Sequence, residues 1–97
     1  MTPSKPWFLY VLLCNDGSLY TGATNNVQKR LHHHNNVKSA SAKYTWARRP
    51  VFLIAAWKLP SKSDALVAEH SFKKLSRAEK LQRVNEWGPL PDYPYDY

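Results

Sequence analysis

Residues 30–35, "RLHHHN", place an arginine directly before a leucine and three consecutive histidines. On a helix each residue turns by about 100° from the last, so three adjacent histidines fan out and cannot converge on one ion. A three-histidine metal centre is excluded on that ground. Counted from Val27, the positions at i+3, i+4 and i+7 are Arg30, Leu31 and His34, and these share one helix face. His32 and His33 point elsewhere, toward solvent. Val27 and Leu31 favour burial, whereas Arg30 and His34 need polar partners when buried. Either the two polar residues are tied into a structural network, or they line a cleft where the apolar face meets solvent.

Glu69 has a similar border position, four residues after Ala65 and three before Phe72 on the edge of an apolar stripe. One reading is a surface pair with Lys73 at i+4, worth a few tenths of a kcal/mol. The other is a metal-ligand carboxylate, since magnesium often takes one or two protein carboxylates and fills its shell with water and phosphate oxygens.

The elements that must position these groups follow from pattern. "WFLYVLLC" (7–14), the turn residues Asn15-Asp16-Gly17 and "SLYTG" form a β-hairpin signal. A two-residue loop would pair Asn15 with Ser18 and put Tyr10 and Tyr20 on opposite faces. A three-residue loop with Gly17 left-handed would pair Cys14 with Ser18, Leu12 with Tyr20 and Tyr10 with Gly22, so that both tyrosines share a face. Thr24, Asn25 and Asn26 are cap-type residues before a helix from Val27 that ends near 35–39. "VKSASAKYTWARRP" reads as a small, polar, basic loop limited by Pro50. "VFLIAAW" (51–57) is a buried strand. Ser61 or Ser63 then caps a helix to about Leu75, with Ala65, Ala68, Phe72 and Leu75 as its stripe, and Ser76 starts a shorter helix that stops at Gly88-Pro89. The order strand, strand, helix, strand, helix, helix predicts an α+β fold: a three-stranded antiparallel sheet of order 2-1-3 flanked by three helices.

A chain of 97 residues suits one domain, with a core over about 7–87 and a Pro- and Tyr-rich tail at 88–97. Cys14 is the single cysteine, which excludes a disulfide framework and a multi-cysteine zinc site and fits a reducing, cytoplasmic setting. The apolar start is read as a strand, not a targeting or membrane segment, because Leu13 precedes Cys14 and turn residues follow it. The net charge is +7. No carboxylate lies between Asp16 and Asp64, so Lys29, Arg30, Lys38, Lys43, Arg48, Arg49, Lys58 and Lys62 stand unopposed along the sequence. Nucleic acid is the natural partner of such a field, an anionic membrane less so.

"FLY" (8–10), "YTG" (20–22) after a short hairpin, Arg30 and His34 on the next helix and Glu69 on a later one resemble the GIY-YIG nuclease superfamily, above all its short stand-alone bacterial branch. "KYTWARRPV" and "AEHSFKKLSRAEK" resemble that branch too. The resemblance implies metal-dependent cleavage of DNA phosphodiester bonds. By it, Tyr20 is the general base or orients the water, Tyr10 lines the same site, and Arg30 stabilises charge on phosphate oxygens. His34 tunes or relays the tyrosine proton, and Glu69 holds one Mg²⁺ or Mn²⁺.

A free phenol titrates near pH 10, so a tyrosine base needs neighbouring cations. Arginine suits phosphate because its planar fork makes paired, charge-assisted bonds. Lys38, Lys43, Arg48 and Arg49, with Tyr44 and Trp46 interleaved, are expected to grip a backbone and stack on a base, DNA in preference to RNA; the alternative is a basic loop with two core aromatics. Departures from the family pattern are Phe8 and Thr21 in the tripeptides, Ala23 in place of a lysine, and a late-helix asparagine with no secure counterpart, for which Asn85 is the best and a weak candidate. The competing reading is a nucleic-acid-binding module with a weak or inactive site, working with a protein partner; a structural interaction domain using the tail is a third.

Overall fold

The computed structural model describes residues 6–87. The hairpin consists of β1 (Trp7–Cys14) and β2 (Leu19–Thr24), antiparallel, with Tyr10 opposite Gly22 and Leu12 opposite Tyr20. The three-residue loop is therefore the one adopted. Its turn is closed by the Gly17 amide donating to the Cys14 carbonyl at 2.9 Å, and the Cys14 amide donates to Ser18 at 2.9 Å. Gly17 has φ +84, a conformation that costs a side-chain-bearing residue about 1–2 kcal/mol.

Helix α1 (Val27–Asn36) follows, and the Asn26 side chain caps it by accepting from the Lys29 amide at 3.0 Å. The segment read as a loop is in fact structured: a 3-10 turn over Lys38–Ala40 and a short helix α2 (Lys43–Trp46) lead into β3. Too short to show periodicity, both are held by tertiary hydrogen bonds described below. Strand β3 (Val51–Leu59) runs antiparallel to β1 on the side away from β2, giving the order β2-β1-β3. Helices α3 (Lys62–Lys73) and α4 (Arg77–Trp87) complete the described fold. Ser61 caps α3, its hydroxyl accepting from the Asp64 amide at 3.1 Å. Ser76 and Glu79 exchange bonds as a capping box at the start of α4, and this holds the Glu79 carboxyl below the usual range. The predicted α+β order is thus observed, with α2 as an addition.

Alternation along β1 divides the core in two. Phe8, Tyr10, Leu12 and Cys14 pack with Val27, Leu31 and Tyr20 on the α1 side. Leu9 and Val11 pack with Trp57, Phe72, Ala68, Leu75 and Val84 on the other. Val11 pairs with Ala55 but Leu12 with Leu53, so β3 carries a bulge at Ile54. The bulge shifts alternation by one residue, which lets Val51, Leu53 and Ala56 all face the α1 side. Asn35 ties α1 to the start of β3: its amide group both donates to the Val51 carbonyl, at 2.9 Å, and accepts from the Val51 amide, at 2.8 Å. No helix of the described residues is long and apolar enough to cross a membrane. The tail at 88–97, with the Gly88-Pro89 stop that opens it, lies outside the described residues.

Candidate active site

Tyr10 is the centre of the site. It lies in the middle strand, 2 % exposed, and its ring crosses the backbone of Gly22 on β2. A methyl group on Gly22 would stand 2.6 Å from Tyr10 Cζ, so only glycine admits the ring there. That contact explains the glycine of "YTG" in steric terms.

The Tyr10 hydroxyl lies 2.8 Å from His34 Nε2, and Arg30 Nε donates to it across 3.4 Å. Arg30 also donates through Nη1 to the Ala40 carbonyl. His34 is fully buried, and its other ring nitrogen, Nδ1, is 2.6 Å from Thr45 Oγ1. Burial first, then the Arg30 and His33 side chains, pushes the His34 pKa down to about 4, so the imidazole is neutral at physiological pH. Burial likewise raises the Tyr10 pKa, against the opposing Arg30 hydrogen bond. Tyr10 is held as a phenol, not as a phenolate.

Tyr20, half-buried, joins from β2 on the same face. Its ring is 6.4 Å from that of Tyr10 and meets His34 edge-on at 5.1 Å. His34 thus hydrogen-bonds to Tyr10 and touches Tyr20 only through ring contact. Tyr44, on α2, stacks with Tyr20 at 6.0 Å. The Lys73 ammonium stands 6.0 Å from the Tyr20 ring centre.

Glu69 faces this group from α3. Its charge is among those felt at the Tyr10 hydroxyl, where it opposes ionisation. The surface pair with Lys73 at i+4 is formed, at 3.0 Å, with the Glu69 side chain 20 % exposed. Among the described residues no three His, Cys, Asp or Glu side chains cluster closely enough to cage an ion. A single carboxylate still fits a magnesium-type ion, which binds through one or two protein oxygens and keeps much of its water. His34 does not fit as a ligand, because both its nitrogens are committed.

The basic segment divides. Lys38 and Lys43 are exposed, and no ion pair involves them among the described residues. Arg48 is not unopposed: its Nε pairs with Asp16 at 2.9 Å, its Nη1 donates to the Tyr44 carbonyl at 3.1 Å, and its guanidinium covers the Tyr44 ring at 3.8 Å. Hydrogen bonds from Ser18, then Arg48, hold the Asp16 carboxyl below its ordinary value. The reversal has a simple cause, since the hairpin brings Asp16 back against α2. Arg49 stacks on Trp46 at 3.4 Å and donates to its carbonyl at 2.8 Å. Tyr44 is exposed and Trp46 half-buried. Asn85 is exposed on α4.

Thr45 escaped sequence reasoning. It sits between Tyr44 and Trp46, and nothing in its type or spacing marks it until folding brings His34 to it; Asn35 likewise carried no signal of its bond to Val51.

Comparison with known proteins identifies the family. The model of the GIY-YIG catalytic domain matches residues 6–83. A UPF0213 protein of Bacillus velezensis is 54% identical over 79 residues, 81% of this chain and 78% of its own. Another from Syntrophus aciditrophicus is 48% identical over 79 residues, 81% of this chain and 90% of its own. Among solved structures, the protein EF2693 from E. faecalis is similar at TM-score 0.61 and 39% identity over 100% of both chains. The UPF0213 protein of Bacillus halodurans has TM-score 0.55 and 42% identity over 86% of both chains.

Proposed function

The chain belongs to the GIY-YIG family, and from that membership we propose that it is a metal-dependent nuclease hydrolysing DNA phosphodiester bonds in the cytoplasm, in the repair or processing of DNA. The observation that carries this reading is the meeting of Tyr10, Tyr20, Arg30 and His34 above one face of the β1–β2 hairpin, with His34 in contact with both rings.

Each group has a part its surroundings suit. Tyr20, half-buried at the edge of the cluster, is the base that takes a proton from water or orients that water. Tyr10, buried and protonated, holds geometry and can offer its hydroxyl to a phosphate neighbour. Arg30 uses Nε and Nη1 to fix itself on Tyr10 and Ala40, and the rest of its fork is available to a phosphate oxygen. Glu69 would hold one Mg²⁺ or Mn²⁺, and a divalent ion there supplies Lewis-acid stabilisation of charge on phosphate. Lys73 pairs with Glu69 Oε1 alone, a surface pair worth only a few tenths of a kcal/mol, so it competes only weakly with such an ion. Lys38 and Lys43 add non-specific attraction for a nucleic-acid backbone.

The test is incubation with nicked, branched and single-stranded DNA in Mg²⁺ or Mn²⁺, with Tyr20→Phe and Glu69→Ala beside the parent protein. Metal-dependent cutting by the parent, lost by at least a hundredfold in each variant, is the expected result. Salt-sensitive binding without cutting favours the second reading, a binding module of the same fold. The closed Glu69–Lys73 pair is the observation on that side.

A further inference from the structure

Between His34 and the main chain lies a buried hydroxyl whose hydrogen can be located by elimination. Thr45 Oγ1 is 3.0 Å from the Ala42 carbonyl oxygen, which can only accept, so the single Thr45 hydrogen is directed there. The same oxygen lies 2.6 Å from His34 Nδ1 and has only lone pairs left to offer it. Nδ1 must therefore carry hydrogen. A neutral imidazole has one N–H, so Nε2 is bare and accepts from the Tyr10 hydroxyl at 2.8 Å. The Tyr10 oxygen, having donated, is free to accept from Arg30 Nε. Every donor in this row has an acceptor, and both His34 and Thr45 are fully buried, where an unmatched polar group is costly.

The opposite assignment fails. With hydrogen on Nε2, Tyr10 would receive from both His34 and Arg30 while its own hydrogen had no other bonded partner among the described residues, and Thr45 would have to abandon Ala42 to donate to Nδ1.

We propose that Thr45 is a positioning residue of the site: anchored on the Ala42 carbonyl, it fixes His34 as the Nδ1–H tautomer and so sets the direction in which Tyr10 donates and Arg30 is held. This deepens the nuclease reading and its catalytic part rests on it, but the hydrogen-bond direction does not. The consequence reaches further than one bond. Arg30 on Ala40, and His34 through Thr45 on Ala42, moor the segment 38–46 to the tyrosine cluster at two points. That segment carries Lys38 and Lys43, so contacts with a nucleic-acid backbone are registered against the groups that would do the chemistry.

The experiment is ¹⁵N NMR of the histidine rings, reading long-range nitrogen–carbon-bound-proton correlations, on the full chain and on Thr45→Val and Thr45→Ser. The expected spectrum of the parent shows His34 as neutral Nδ1–H at pH 7. Thr45→Ser keeps it; Thr45→Val, similar in shape but without the hydroxyl, shifts His34 toward Nε2–H. A purely structural threonine would leave the tautomer unmoved. Nε2–H in the parent, or an unchanged tautomer in a folded Thr45→Val, overturns the proposal; should Thr45→Val not fold, the parent spectrum alone decides. In the cutting assay Thr45→Val should lower kcat on the order of tenfold with KM unchanged, and Thr45→Ser should restore it. Should the parent cut no DNA, the nuclease reading falls while the ring spectra still decide the role of Thr45.

Discussion

A buried neutral histidine is a liability in acid, and His34 makes that liability measurable. Its folded pKa of about 4 lies below the ordinary histidine value of about 6.5, so between those two pH values the unfolded chain binds more protons than the folded one. Stability contributed by the neutral ring is therefore complete above about pH 6.5, falls as pH drops toward 4, and changes no further below that. The full difference corresponds to about 3 kcal/mol. Other groups titrate in the same range, so the comparison needed is with His34→Gln. Urea midpoints of both proteins from pH 7 to pH 4 should show the parent more stable at neutrality and its advantage shrinking with acid; a gap that stays constant would mean that His34 is not held neutral. The Tyr10 hydroxyl and the Arg30 guanidinium face the ring.

At the scale of elements, the hairpin decides whether there is a site at all. Its alternation puts Tyr10 and Tyr20 together only because the loop has three residues and Gly17 occupies the left-handed region. Nothing lies within 4 Å of the place where a Gly17 side chain would begin, so a substitution there meets no clash and pays only for backbone conformation. Gly17→Ala should cost about 1 kcal/mol and Gly17→Asn less, read from chemical denaturation. An Ala variant as stable as the parent would mean that the turn is of another type. Two loop types were open in the sequence, and the choice between them depends on what the strands bury, which is a property of the sheet and not of the turn residues. The long helices were legible because caps and apolar stripes are local: Ser61, Ala65 and Phe72 take the places their spacing predicts. Helix α2 was not, for its N-cap Ala42 offers no side-chain bond and its hold comes from Arg48 to Tyr44 and Thr45 to His34. The bulge at Ile54 was equally hidden, since it is set by which residues of β3 fill the α1 side of the core.

For the whole molecule, the run of eight cations with no carboxylate between Asp16 and Asp64 overstates the unopposed charge that a polyanion would meet. Folding pairs Arg48 with Asp16 and Lys73 with Glu69, and lays Arg49 along Trp46. The sequence stretch without carboxylates is thus not a surface without them, because the hairpin carries Asp16 back to it. Lys38 and Lys43 are exposed on the segment moored to Arg30 and His34, and neither is in an ion pair among the described residues. Each phosphate neutralised on a duplex contributes about 0.9 to the slope of log affinity against log salt. Lys43→Gln should therefore lower the magnitude of that slope by roughly 0.9 and leave folding stability unchanged within about 0.5 kcal/mol. Arg48→Gln should do the reverse, with little effect on the slope and a loss of up to about 1 kcal/mol as Asp16 and the Tyr44 carbonyl lose their partner. Titration of a fluorescent duplex over a series of salt concentrations, beside urea melts of both variants, separates the two. Equal slopes for Lys43→Gln and the parent would move the binding face away from 38–46, and with it the route by which a phosphate reaches Tyr20.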